Sequence, residues 1–144
     1  MTFGEKVREA RKVLDLGVGE LAHEVGVSER TIYSYENKGA HPRGRTLEKL
    51  AQALYVSATY LINEDETNKD KNKEQEDFVK EVREQFGSKG ARKAADVLER
   101  TTALFAGGDI DDDDKELVFR SIMKVFLNSK AEAREKYGRK SGSA

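Results

Sequence analysis

Apolar residues recur along this chain at intervals of three and four, and no run alternates apolar with polar long enough to suggest a strand. Phe3, Val7, Ala10 and Leu14 predict a first helix over 3–14, and Leu21, Ala22 and Val25 a short second one over 20–25. Ser28 can accept an orphan backbone N–H and so opens a third helix, which Gly39 ends. After the polar loop AHPRGR, Thr46 caps a fourth helix with Leu47, Leu50, Ala51 and Leu54 inward. Ser57 starts a fifth, carrying Tyr60 and Leu61. The stretch NEDETNKDKNKEQED has no apolar residue and reads as a linker. Beyond it, Phe78, Val79, Val82 and Phe86 form a narrow stripe on a helix that stops at Gly87. Ser88 begins another, with Ala94, Val97, Leu98, Leu104 and Phe105 on its apolar side and Gly107-Gly108 closing it. A last helix opens at Asp111–Asp114, and the polar stretch AEAREKYGRKSGSA is expected to fray. The expectation is an all-α protein: a five-helix domain over 1–64, a polar linker over 65–75, a helical region over 76–137 and a flexible tail over 138–144.

Composition narrows the chemistry. The chain has 144 residues and no cysteine, which excludes disulfides and thiolate catalysis and suits a reducing cytoplasm. No apolar run approaches the ~18 residues of a membrane span, and the charged start MTFGEKVREARK is no signal peptide. Net charge is −1, and residues 1–64 are neutral, with nine lysines and arginines against nine aspartates and glutamates. Positive charge is nevertheless local: Lys38, Arg43 and Arg45 lie within eight residues, with His41 between them and no acid.

Candidate catalytic and metal groups are sparse. Asp109, Asp111 and Asp113 alternate as in a calcium loop, but Asp114 and Arg120 stand where Gly and Glu would be needed. Acids at a helix N-terminus that offset its dipole are the simpler reading. His23 and His41 have no acid–base partner in the sequence, and Ser129 and Lys130 diverge on a helix. No enzyme activity, no metal and no cofactor are expected.

The stretch GVSERTIYSYENKG joins two short helices through Gly26-Val27-Ser28, the pattern of a helix-turn-helix. Ile32 and Tyr35 face inward with Val27, leaving Glu29, Arg30, Tyr33 and Ser34 outward on the third helix. Such a helix fits the ~12 Å major groove of DNA, where its early side chains reach base edges. On ELAHEVGVSERTIYSYENKG, Pro42 and TLEKLAQALYVSATYLI, residues 1–62 resemble the DNA-binding domain of the Cro and phage-repressor family, often called XRE-like. The resemblance implies that Glu29, Arg30, Tyr33 and Ser34 read bases and that Asn37, Lys38, Arg43 and Arg45 contact phosphates. It further implies an ion pair between Arg11 and Glu36. The chain departs from the family at Gly17 and Val18, where the usual Thr-Gln would brace the recognition helix and touch the DNA backbone.

The stretch EQFGSKGARKAADVLERTTALFAGGDIDDDDKELVFRSIMKVF is similar to a C-terminal extension of such regulators in Gram-positive bacteria. The apolar arc of the last helix is wider than one neighbour needs. A homodimer through Leu104, Phe105, Phe119, Ile122, Met123 and Phe126 is therefore expected, on the reasoning that a lone hairpin would leave Phe119 or Phe126 wet. The expected function is a sequence-specific regulator of transcription, a repressor that binds double-stranded DNA as a homodimer. The other reading is an antitoxin-like module that binds a partner protein through its C-terminal helices and DNA secondarily.

Overall fold

The computed structural model describes the backbone of residues 1–142 and the side chains of residues 1–136. Among the described residues all regular structure is helical: α1 (Phe3–Val13), α2 (Val18–Val25), α3 (Glu29–Asn37), α4 (Gly44–Leu54), α5 (Ala58–Ile62), α6 (Lys73–Leu104) and α7 (Asp112–Gly142). The chain divides into two compact units, Met1–Lys73 and Glu74–Ala144.

In the first unit Thr2 caps α1 through a reciprocal box. Its hydroxyl accepts from Glu5 N, while Glu5 Oε1 accepts from Thr2 N, each at 3.2 Å. These bonds from Thr2 hold the Glu5 carboxyl below the ordinary carboxylate range. The apolar stripes of α1 to α5 close on one core of Phe3, Val7, Ala10, Leu21, Ala22, Val25, Ile32, Tyr35, Leu50, Ala51, Leu54, Val56, Tyr60 and Leu61. Two helices start earlier than their patterns suggest. α2 begins at Val18 rather than Glu20, because Glu20 Oε1 accepts the Gly17 N–H (3.3 Å) and closes the first turn. α4 begins at Gly44 rather than after Thr46, with Arg43 in the cap position and no side-chain capping bond.

The polar stretch expected as a linker is folded onto this unit. Lys6 Nζ donates to the carbonyl oxygens of Tyr60, Asn63 and Glu66, each at 2.7 Å. Ser57 N donates to Lys69 O (2.8 Å), and Lys69 reaches Glu9 at 3.8 Å. Asn63 and Asn68 turn the chain by accepting from Asp65 N and Asp70 N. Composition alone reads such a run as solvated, but its backbone carbonyls have a buried cation to bind.

In the second unit α6 is two helical segments joined by a bend at Gly87, whose backbone is non-helical (φ 83°, ψ −178°), as the sequence pattern predicts. Phe78 and Val82 before the bend and Ala94 and Leu98 after it share a core with Phe119 and Met123. Phe78 meets Phe126 edge-on (5.7 Å between ring centres), as Phe105 meets Phe119 (5.6 Å). Asp111 caps α7 by accepting from Asp114 N at 2.9 Å.

This arrangement covers part of the expected dimer face within the single chain. Phe119 and Met123 are 8% and 9% exposed, and Phe105 and Phe126 pack against them, so the chain covers these rings itself. The bend in α6 supplies neighbours from both of its halves, which a simple two-helix hairpin could not. What stays open is another set: Leu104, Leu117 and Val125 are 82%, 62% and 64% exposed, Val118 is exposed and Ile122 half-buried. The polar stretch after Asn128 does not end the last helix, since α7 continues to Gly142. The expected tail over 138–144 lies beyond the described side chains, and its last two residues lie outside the described residues altogether.

Candidate nucleic-acid interface

The turn into α3 is built from three residues. Gly26 closes α2 in the left-handed region (φ 82°), where a side chain would be strained. Val27 is half-buried against the core. Ser28 Oγ accepts from Thr31 N (3.1 Å) and shares a bond with Thr31 Oγ1 (2.9 Å). α3 then turns Ile32, Tyr35 and Glu36 into the protein. Burial pushes the Tyr35 phenol above its ordinary pKa, and Phe3 meets that ring edge-on.

The outward residues differ in how free they are. Glu29, Arg30 and Tyr33 are exposed, Tyr33 by 53%. The Glu29 carboxylate leans back toward α2, so near Gly19 that a Cβ there would lie 2.4 Å from its Oε1. Ser34 is half-buried and its hydroxyl donates to Arg30 O (3.0 Å), leaving its oxygen lone pairs for a ligand. Lys38 is exposed, with its ammonium 5.8 Å from the centre of the Tyr33 ring. The chain leaving α3 stays close, with Ala40 N donating to Ser34 O at 3.3 Å. His41 stacks on Phe3 (4.6 Å), and exposed Arg43 and Arg45 bracket the start of α4.

Behind α3 lies an ionic network. Arg11 grips the Glu36 carboxylate with two bonds, Nη2 to Oε1 at 2.9 Å and Nε to Oε2 at 3.1 Å, and also donates to Leu16 O. Arg8 approaches the same carboxylate (Nε to Oε1, 3.4 Å) and donates to Asn37 Oδ1. The Glu36 side chain is 3% exposed, so two arginines share one buried carboxylate, both reaching its Oε1. α1 can come this close because Gly4 faces α3. A Cβ there would lie 2.5 Å from Glu36 O and 2.7 Å from Tyr35 O.

Sequence reasoning missed two of these residues. Lys6 is 2% exposed and ties residues 60–66 to α1. Its signal was its place between Phe3 and Ala10 on the apolar stripe. Arg8 carried no signal apart from its spacing three residues before Arg11.

A short helix, a tight turn and a second helix that exposes its outer face define a helix-turn-helix domain. Residues 7–61 match the family model described as helix-turn-helix, and this part of the chain is a helix-turn-helix domain of the XRE-like type. The transcriptional repressor RstR of the cryptic phage CTXphi, from Vibrio cholerae, is 37% identical over 68 residues, which cover 47% of this chain and 61% of RstR. Repressor protein C2 of Salmonella phage P22 is 36% identical over 63 residues, 44% of this chain and 29% of that protein. The crystal structure of the P22 c2 repressor protein in complex with synthetic operator 9T aligns at 35% identity and a TM-score of 0.43, covering 45% of this chain and 98% of that one. The chain thus spans less than two thirds of these curated relatives' own length.

Proposed function

We propose that this protein is a transcriptional repressor that binds a specific double-stranded DNA site, as a homodimer, with α3 in the major groove. The observation that carries this is the exposed side of α3. A Ser28-capped helix offers Arg30 and Tyr33 to solvent, and the acid-free run through Lys38, Arg43 and Arg45 follows directly. Arg30 can donate two bonds to a guanine edge, and Tyr33 can lie against a thymine methyl. Glu29 and Ser34, as acceptors, suit the amino groups of cytosine or adenine. Asn37, Lys38, Arg43 and Arg45 meet phosphates, which position the helix without reading sequence. A neutral unit gains little from long-range attraction, so a second copy is needed to raise affinity by linking two half-sites. The outer side of α7 with Leu117, Val118, Ile122 and Val125 suits that partner, because a two-fold axis buries the same patch on both chains. The repressing role follows the relatives, two of which are repressors by name.

Selection of bound duplexes from a random pool tests the reading. A recovered site with two inverted half-sites about one helical turn apart is expected. A pool that stays random after selection would contradict it.

A further inference from the structure

We propose that Arg8 is a positioning residue for DNA binding: it fixes the side-chain amide of Asn37 with its N–H outward, the orientation that a phosphate requires. The inference rests on the DNA-binding reading above. Asn37 is exposed at the last turn of α3, and its Oδ1 accepts from Arg8 Nη2. A guanidinium has donors only, so the amide must turn its oxygen, and not its nitrogen, toward Arg8. On the other side Asn37 Nδ2 donates to Tyr33 O at 3.1 Å. That uses one of the two amide hydrogens. The second is left as a donor, and a phosphate oxygen only accepts. With the amide reversed, Oδ1 would face the phosphate and repel it.

Arg8 is itself held for this task. Its Nε lies 3.4 Å from Glu36 Oε1 and its Nη2 3.4 Å from Glu36 O at the end of α3. Arg11 already neutralises that carboxylate with a two-bond grip. Arg8 therefore brings a surplus positive charge to the end of the helix, next to Asn37 and Lys38. The two arginines also differ in exposure. The Arg11 side chain is 13% exposed and bonded to Leu16 O, whereas that of Arg8 is 38% exposed. Arg11 is placed to hold the fold, and Arg8 to act at its surface.

The test is a double-mutant cycle on the full chain, with Arg8→Met, Asn37→Ala and the pair. Affinity for a random-sequence duplex is read at fixed salt, and thermal stability is read beside it. Arg8→Met should weaken duplex binding about tenfold, and only about threefold or less once Asn37 is alanine, because a positioning role vanishes with the group positioned. Arg8→Lys, which keeps a donor and the charge, should recover part of the loss. The side-chain amide resonances of Asn37 should shift in Arg8→Met without any DNA present. An additive cycle would mean that Arg8 acts only by its own charge, and unchanged affinity in Arg8→Met with a lowered melting temperature would mean that it serves the fold. Either overturns the proposal while leaving the DNA reading intact. A wild-type chain that ignores duplex DNA would overturn both.

Discussion

Lys6 Nζ lies 2.7 Å from the carbonyl oxygen of Tyr60, a bond between the first and fifth helices across 54 positions of sequence. Its other two hydrogens reach Asn63 O and Glu66 O at the same distance, and the ammonium sits 4.1 Å from the centre of the Tyr60 ring. Every donor of the group is engaged, which is how a charged side chain can be 2% exposed. Lys6→Met keeps the apolar stem and leaves three carbonyls without their donor. It should destabilise the first unit by about 2–4 kcal/mol. Thermal unfolding reads this, together with faster amide exchange over residues 63–69. An unchanged melting temperature would mean that water replaces the ammonium at no cost.

Glu36 is the shared partner of Arg8 and Arg11, so its removal takes the counter-charge from both and leaves the largely buried Arg11 guanidinium unpaired. Glu36→Ala should cost about 3–5 kcal/mol and lower the melting temperature of the unit by more than about ten degrees. Arg8→Ala should cost far less, since Arg11 still holds the carboxylate. Equal losses from the two substitutions, measured by calorimetry, would contradict this division of roles.

Gly4 and Gly19 make a contrasting pair. A Cβ at Gly4 would run into the backbone carbonyls of Tyr35 and Glu36, which cannot move without shifting α3. Gly4→Ala should therefore cost about 1–3 kcal/mol. A Cβ at Gly19 would meet only the end of the flexible Glu29 side chain. Gly19→Ala should be neutral or stabilise α2 by up to about 1 kcal/mol. Urea unfolding of both variants checks the order.

The second unit separates its core from its outer face. Phe126 packs on Phe78, so Phe126→Asp should unfold this unit and not merely divide a dimer. Val125 is open to solvent. Val125→Asp should leave helix content unchanged and convert the full chain to monomers in sedimentation at micromolar concentration. A dimer that survives Val125→Asp, or a wild-type chain that is monomeric, would rule out this face.

Much of the first unit was legible because its signals are local. Ser28, Gly26 and the stripe of Ile32 and Tyr35 fix a capped helix on their own. The resemblance brought Arg11 together with Glu36, a pairing that spacing could not supply. Lys6 was not legible, because a lysine on an apolar stripe usually extends its ammonium to water, and the carbonyls that hold it lie 54 to 60 residues away. For the same reason residues 63–69 read as a free linker. In the second unit the apolar positions were visible, but which of them face inward depends on the bend at Gly87. That glycine reads as a helix end and is one, and the two helices it separates share one core.

The most direct test of the account compares Arg30→Ala with Lys38→Ala on a selected duplex and on random duplex DNA, each across a range of salt. The proposed docking puts Arg30 at a base edge and Lys38 at a phosphate. Arg30→Ala should lose about 1–3 kcal/mol on the selected site and little on random DNA, relaxing preference at one base position. Lys38→Ala should weaken both duplexes alike and reduce the salt slope by about one unit. If the two substitutions had the same effect on selected and random DNA, α3 would not be the element that reads sequence.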